Sequence, residues 1–544
     1  MTRSLSQAAS SYFAYLALHF PVMCASDEFH FVPRAQQAAE YYHSMEDLDA
    51  RRIEEHIAVL QDYQAEFRRL SSPEDEEIEE AIDRELLKAS VAGILLELSH
   101  SRAWQHNPLL YLKIAFIGLD HALNKPYGSM AERLERTLSR LNRVPMLLRQ
   151  AADNLEQVPA AYCQAALHMA HDCDRYLFEI PGHFPDHLNA IAPALEGARF
   201  AVGRFIGFLG SIRPVRDEKC AAPSVEMVLR DHFGSLRTLR EVFDLAREEW
   251  FECLARLGKL QKGIDEGKTW EELYHAYVPN AVNEWDTLTL YRGEMKSLQA
   301  FFREHGFEEF TDGGLPEIVP TPVYLESVRS SASFSAAFTE DEREKDFFYI
   351  TTEPPDRRGE EASVLLRKRL HREFRFLTAH ETFPGHFLLD STRRRLPSPV
   401  RRQIESPLFY EGWAYYVESL LTESGYVDDP LECLVDWKRR LWRAARCQID
   451  VGLNVGLISW EDAVKLLTKA GFSREESENQ VRRFRLNPGY QLCYSLGRYE
   501  IVKLRDLYSC KVGRNRFHGA LLTGGEIPFQ FIEERLRRLC AMEQ

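Results

Sequence analysis

Polar and apolar positions in this 544-residue chain recur mostly at helical spacing, and the residues between them punctuate helix ends. Ser72-Pro73, followed by Glu74, Asp75, Glu76 and Glu77, predicts a helix start. It combines a capping hydroxyl, a proline in the first turn and acids placed against the helix dipole. Helical apolar spacing then runs to about Ser99. Thr269-Trp270-Glu271-Glu272 has the order of a capping box, with Glu272 placed to return a bond to the cap, and Ser473-Arg474-Glu475-Glu476 repeats it. Ser459 caps a helix through Ala463, Leu466 and Leu467. The first 280 or so residues read as a helical array without a fixed-period repeat. The texture changes from Leu315 to Pro355. There Ile318–Tyr324 and Phe347–Thr352 are short, β-branched or aromatic, and bounded by proline and glycine, which predicts strands of a small sheet. Helical spacing resumes near Ala362. The expected fold is mainly α with a small β-sheet insertion. It divides into a helical N-terminal lobe (1–285), a mixed β segment (286–360) and a helical region (361–544).

Composition leaves this picture intact. A hydrophobic content of 45% with 28% charged residues is that of a globular protein, with a core large enough to need no staples. The formal net charge of −15 excludes a general nucleic-acid binder. Arg393-Arg394-Arg395 and Arg401-Arg402 are short and read as solvated helix faces. The ten cysteines form no Cys-x-x-Cys pair and read as reduced, mostly buried thiols. Tyr12 to Cys24 is apolar, but Ser10, Ser11, His19 and Pro21 interrupt it and Arg3 is its sole flanking cation, which argues against an export signal. No run of 18 apolar residues predicts a membrane span. A cytoplasmic protein with neither nucleic-acid nor membrane partners is therefore expected. Oligomeric state is not legible.

The chemistry lies in three stretches. The first is His380-Glu381-Thr382-Phe383-Pro384-Gly385-His386. In the familiar zinc motif His-Glu-x-x-His, the two histidines share one helix face. Here they are six apart, which on a straight helix is about 240° of rotation and aims the rings apart. Pro384-Gly385 predicts a break that turns His386 back beside His380. Without such a break these would be two unrelated histidines at a helix end.

The second stretch is Glu411-Gly412-Trp413-Ala414, in an apolar helix where a buried carboxylate needs a partner. Two imidazoles and a carboxylate make a three-ligand site with an open position, the arrangement of catalytic zinc, although the same set also holds iron(II). Glu418, seven residues on, faces the same way two turns later; it reads first as ion-paired or exposed, with orientation of a ligand as the alternative. The third stretch runs from Asn487-Pro488-Gly489-Tyr490 to Tyr494-Ser495-Leu496-Gly497-Arg498. Tyr494 and Arg498 share a helix face and are candidates to stabilise an oxyanion, and Gly497 permits close backbone approach. A core tyrosine with a satisfied hydroxyl is the alternative for Tyr494.

Together the three stretches resemble the bacterial domain-of-unknown-function 885 family. That family carries His-Glu-x-x-Pro-Gly-His, Glu-Gly-Trp-Ala and Pro-Gly-Gln-Ala-x-x-Tyr-x-x-Gly in this order. The resemblance is strongest over residues 345–535. It extends to Arg443–Leu453 and to Phe517-His518-Gly519. It implies a zinc metallopeptidase-like protein, distantly similar to carboxypeptidase Taq and thimet oligopeptidase, with a two-lobed helical body and a deep channel. By carry-over His380, His386 and Glu411 are the metal ligands, Glu381 is the general base, and Tyr494 occupies the family's tyrosine position. The chain departs from the family pattern at Phe387, Leu389, Tyr490, Asn454 and Gly519. The expected function is zinc-dependent hydrolysis of a peptide or other amide. The alternatives are a metalloenzyme for a small molecule, with iron in place of zinc, and a non-catalytic binding protein on a peptidase scaffold.

Overall fold

The computed structural model describes residues 4–542 apart from 71–76, 126–127, 216–224, 281–285, 311–313, 330, 340, 342 and 353–359. The Ser72–Glu76 helix signal lies outside the described residues. The helix that follows it runs Ile78–Leu95 and continues as a π-helical turn, Leu96–Ser101. The other capping signals act as their chemistry requires. Thr269, Ser459 and Ser473 each close a capping box, over helices Trp270–Ala276, Trp460–Lys469 and Arg474–Phe484. The protein is mainly α with one small sheet among its described residues.

The sheet has strand order β1-β3-β2, with β1 Glu317–Pro320, β2 Ala332–Ser335 and β3 Phe347–Ile350. β1 pairs in parallel with β3 (Ile318 opposite Phe348), and β2 pairs antiparallel to it (Phe334 opposite Phe348). Two of these strands fall on the predicted segments, but Val323–Leu325 turns into a 3₁₀ helix instead. One face packs Ile318, Phe348 and Ile350 against Leu370 and Phe374 of the helix Glu360–Glu381. The sheet thereby braces the helix that ends in His380 and Glu381.

One continuous core runs from Ala8 to Leu536. The segment Tyr12–Cys24 belongs to it. Tyr12, Phe13 and Leu16 are buried on the helix Leu5–His19, and Cys24 is fully buried. Among the described residues no helix is long and apolar enough to cross a membrane.

His518 shows how tightly this core is specified. Its ring is fully buried, stacked on Phe307 at 4.4 Å and edge-on to Trp413 at 6.0 Å. Nδ1 lies 2.9 Å from the Gly306 carbonyl, so Nδ1 carries the hydrogen, and Nε2 accepts from the Tyr416 hydroxyl at 2.9 Å. Burial lowers this imidazole pKa to about 4. Its folded value is depressed, so the unfolded chain takes up the proton first as pH falls. The contribution to stability is complete above about pH 6.5 and is lost on acidification towards pH 4. Denaturant unfolding should show the stability gap between wild type and His518→Gln narrowing by on the order of 3 kcal/mol between those limits. A pH-independent gap would contradict this account.

Candidate metal centre

The helix Glu360–Glu381 delivers His380 and Glu381 in its last turn and then stops. Pro384 cannot donate to the ladder. Gly385 packs directly on the helix end, where an added Cβ would sit 2.0 Å from the His380 carbonyl oxygen and 2.3 Å from that of Ala379. Trp413 Nε1 donates to the Pro384 carbonyl at 2.9 Å and fixes the turn. A new helix, His386–Arg393, begins immediately. The break predicted from spacing is thus present, and it returns His386 to His380 with ring centroids 4.6 Å apart at 80°. Tyr410 stacks on the His386 ring at 3.8 Å and 9°, which sets its tilt.

Glu411 arrives on the helix Pro407–Glu423. That helix crosses the helix Leu492–Val512 at Gly412 and Gly497. A Cβ on Gly497 would stand 2.2 Å from the Leu408 carbonyl oxygen, and one on Gly412 2.5 Å from Gly497 Cα. The backbones can approach this closely because neither residue has a side chain. The approach brings the Tyr494 hydroxyl to 2.8 Å and the Tyr490 hydroxyl to 2.5 Å from Glu411 Oε1, and both donate to it.

Glu411 Oε2 is buried without a hydrogen-bond partner and faces His380 Nε2 at 3.4 Å and His386 Nε2 at 3.6 Å. Ligand atoms of these three residues all lie within 4.8 Å of one another. A tetrahedral ion with bonds of about 2.0–2.2 Å separates its ligands by about 3.3–3.6 Å. The donor chemistry, the spacing and the orphaned oxygen all fit such an ion.

The far side of His380 is equally constrained. Nδ1 lies 2.8 Å from Glu418 Oε1. Arg439 and Arg443 both bind the Glu418 carboxylate, and Arg439 also engages Glu373, which accepts from the Tyr274 hydroxyl at 2.6 Å. Burial works against ionisation of Glu418, but the two guanidiniums outweigh it and hold its pKa far below the usual carboxylate range. Burial likewise opposes charge on His380, yet Glu411 and Glu418 push its pKa up to about 9. Glu418 is ion-paired, as expected, and its contact with the imidazole fixes the orientation of the ring.

Glu381 is buried beside His380, close enough for its charge to act on that ring, and its Oε2 accepts the Phe334 amide of β2 at 2.8 Å. Arg498 requires a correction. It does not reach the site: its Nε donates to Ser419 at 2.8 Å, and the guanidinium lies over the Tyr415 ring at 5.3 Å. Four residues after Tyr494 is one turn, about 5.4 Å further along the helix, so sharing a face with Tyr494 carried Arg498 past the centre. The guanidiniums near Tyr494 are those of Arg446, at 4.3 Å, and Arg443, at 5.6 Å.

Sequence reasoning gave no site role to Tyr410, Arg443 or Asp450, and met Tyr490 only as a departure from the family pattern. Asp450 accepts the amides of Gly489, Gln491 and Leu492 at 2.9, 2.8 and 3.3 Å and so anchors the loop that carries Tyr490. Its signal was an acid within an otherwise buried helix. Of the departures from the family pattern, Phe387 packs on Phe334, Leu389 is core, and Asn454 donates to the Asp450 carbonyl at 2.7 Å. A Cβ at Gly519 would meet Glu309 Oε2 at 3.5 Å, an ordinary contact.

The family model for bacterial proteins of unknown function, DUF885, matches residues 33–536. The chain belongs to that family. Two solved structures share its fold over 98% of this chain and 99% of theirs, each with a TM-score of 0.73. One, from Shewanella oneidensis, is 19% identical and is provisionally described as a lipoprotein of unknown function. The other, from Colwellia psychrerythraea, is 15% identical and is likewise provisionally described as a lipoprotein. No functionally curated protein matches the chain. The cytoplasmic expectation is overturned by the description of both relatives as lipoproteins, a membrane-anchored class. The physical reason for the misreading lies in the cysteines. Cys24, Cys163, Cys173, Cys253, Cys447 and Cys493 are buried, and thiols held apart in a core stay unpaired in any compartment.

The geometry predicts that Gly385→Ala separates the imidazoles, because its methyl group would require space held by backbone oxygens. If these residues hold zinc, chelator competition should show its affinity in the variant lowered by about 100-fold, with the helical circular-dichroism signal retained. Wild-type affinity in that variant would remove the turn from the account.

Proposed function

We propose that this DUF885 protein is a zinc-dependent hydrolase acting on a peptide or related amide bond. The observation that carries the reading is the orphaned Glu411 Oε2 facing two imidazole Nε2 atoms, with Glu381 adjacent in sequence and in space. His380, His386 and Glu411 would hold the ion, leaving a coordination position open. Zinc bound there would supply a Lewis acid that polarises the carbonyl and acidifies water.

The remaining steps belong to the chain. Glu381 takes the proton of the attacking water and passes it to the leaving amine. The Phe334 amide fixes one Glu381 oxygen, so proton transfer falls to the other. Glu418 holds His380 through Nδ1 and keeps Nε2 directed at the centre. Glu411 Oε1 has two phenol donors, so Tyr490 suffices to orient the carboxylate while Tyr494 turns its hydroxyl to the developing oxyanion.

Zinc is preferred to iron because a glutamate directly after the first ligand suits hydrolysis, for which an oxygen-activating iron site has no use. Elemental analysis of the purified protein is expected to find one zinc per chain, and stoichiometric iron would reverse the assignment. Glu381→Gln should retain zinc and lose about 10²- to 10⁴-fold in kcat on peptide amides, the usual contribution of a general base. A variant as active as wild type would remove Glu381 from the mechanism.

A further inference from the structure

Tyr490 stands where the proposed metal centre meets a cavity. The cavity has a volume of about 740 Å³ and is lined by the Tyr490 ring, by Pro407 at the start of the Glu411 helix, and by Asn454 and Gln491. That volume lies within the range of ligand pockets. The His30 ring, also on the cavity wall, lies against the phenol at 4.8 Å and 31°. Behind the phenol, His380, His386 and Glu411 are only 6%, 4% and 5% exposed. The Tyr490 hydroxyl donates to Glu411 Oε1, so one side chain both lines the cavity and contacts the ligand set.

The backbone that carries this ring is fixed. Gly489 has a φ of +85°, and Asp450 accepts three amides from the loop. Motion of the phenol is therefore a side-chain rotation. Turning it away breaks a single bond to Glu411, and Tyr494 keeps the same oxygen supplied with a donor at 2.8 Å. The carboxylate stays oriented whether Tyr490 is in or out. One donor would fix Glu411, and the second lies on the cavity side.

We propose that Tyr490 is a gate: the cavity receives the body of an amide substrate, the scissile group passes to the centre while the phenol is swung off Glu411 and Tyr494 holds the carboxylate, and the phenol returns to Glu411 before Tyr494 turns to the oxyanion. This rests on the metal-hydrolase reading of the site. A gate changes the rates of entry and exit together, whereas a purely structural support for Glu411 changes retention alone.

The test uses the full chain, zinc alone as the probe, and EDTA as the extracting agent, followed by stopped-flow with a zinc indicator. Tyr490→Ala is expected to raise both the zinc association rate and the extraction rate by tenfold or more. Tyr490→Phe, which keeps the ring, should stay within threefold of wild type on both. Should the alanine variant not fold, Tyr490→Gln replaces the ring with a smaller polar chain and carries the same expectation. Unchanged rates on removal of the ring, or faster extraction with unchanged association, would overturn the gate while leaving the metal site standing. A wild-type protein that takes up no zinc would overturn both.

Discussion

A side chain at position 385 would have to occupy space already held by the carbonyl oxygens of Ala379 and His380. That contact governs the site. Six residues of regular helix would place the two histidines about 240° apart. The chain instead ends one helix, folds its next backbone segment onto the exposed carbonyls, and starts another at His386. The Trp413 indole bonded to Pro384 ties the turn to the helix that supplies Glu411. The third ligand depends on a second side-chain-free contact, between Gly412 and Gly497, which lets two helix backbones meet and sets the tyrosines against Glu411. In both places an absent side chain positions a reactive one.

Buried charge holds the rest. Glu418 is fully buried, yet it contacts His380, Arg439 and Arg443. On the other flank, Arg34 reaches Asp390 at 3.3 Å and Glu405 at 3.2 Å, and Arg393 engages the same two acids. These ties fasten the His386 helix to the N-terminal part of the chain. Buried ion pairs add little net stability, because desolvation offsets their attraction, while breaking one strands an uncompensated charge. Such networks instead make alternative positions of these helices costly. The His380 imidazole is contacted by a carboxylate that two buried arginines hold in place.

The convergence of His380, His386 and Glu411 was legible, because each stands in a local pattern whose oddity needs an explanation: two histidines at a non-helical spacing, and a glutamate in an apolar helix. The helical architecture was legible from its caps, since hydroxyl and acid three residues apart report on nearby backbone alone. What failed depended on distance in space. Strand β2, Ala332–Ser335, has a single large apolar residue, Phe334, among small and polar ones, and its pairing is set by β3 and by the Glu381 carboxylate at the Phe334 amide. Arg498 shares a helix face with Tyr494, but a face is longer than a site, and Ser419 and Tyr415 claimed the guanidinium. Glu418 has the right periodicity, but its partners Arg439 and Arg443 come from another helix. Tyr490 read as a departure from the family pattern, and the fold makes it a second donor to Glu411.

The set of His380, His386 and Glu411 also carries an internal tension that a cation would relieve. Glu411 Oε2 is a buried carboxylate oxygen without a hydrogen-bond partner, an expensive condition. Glu411 and Glu418 raise the His380 pKa above its ordinary range, and the two imidazoles hold that of Glu411 well below its own, in a space bounded by two nitrogen donors and one oxygen donor. One proton can bridge two of these groups and leaves the third without a partner. A divalent ion held there would engage all three at once and displace the proton. The surrounding contacts anticipate this: the tyrosines supply Glu411 Oε1 and leave Oε2, and Glu418 takes His380 Nδ1 and leaves Nε2. On each of these two ligands, protein groups engage the atom facing away from the centre and leave the inward atom for an ion.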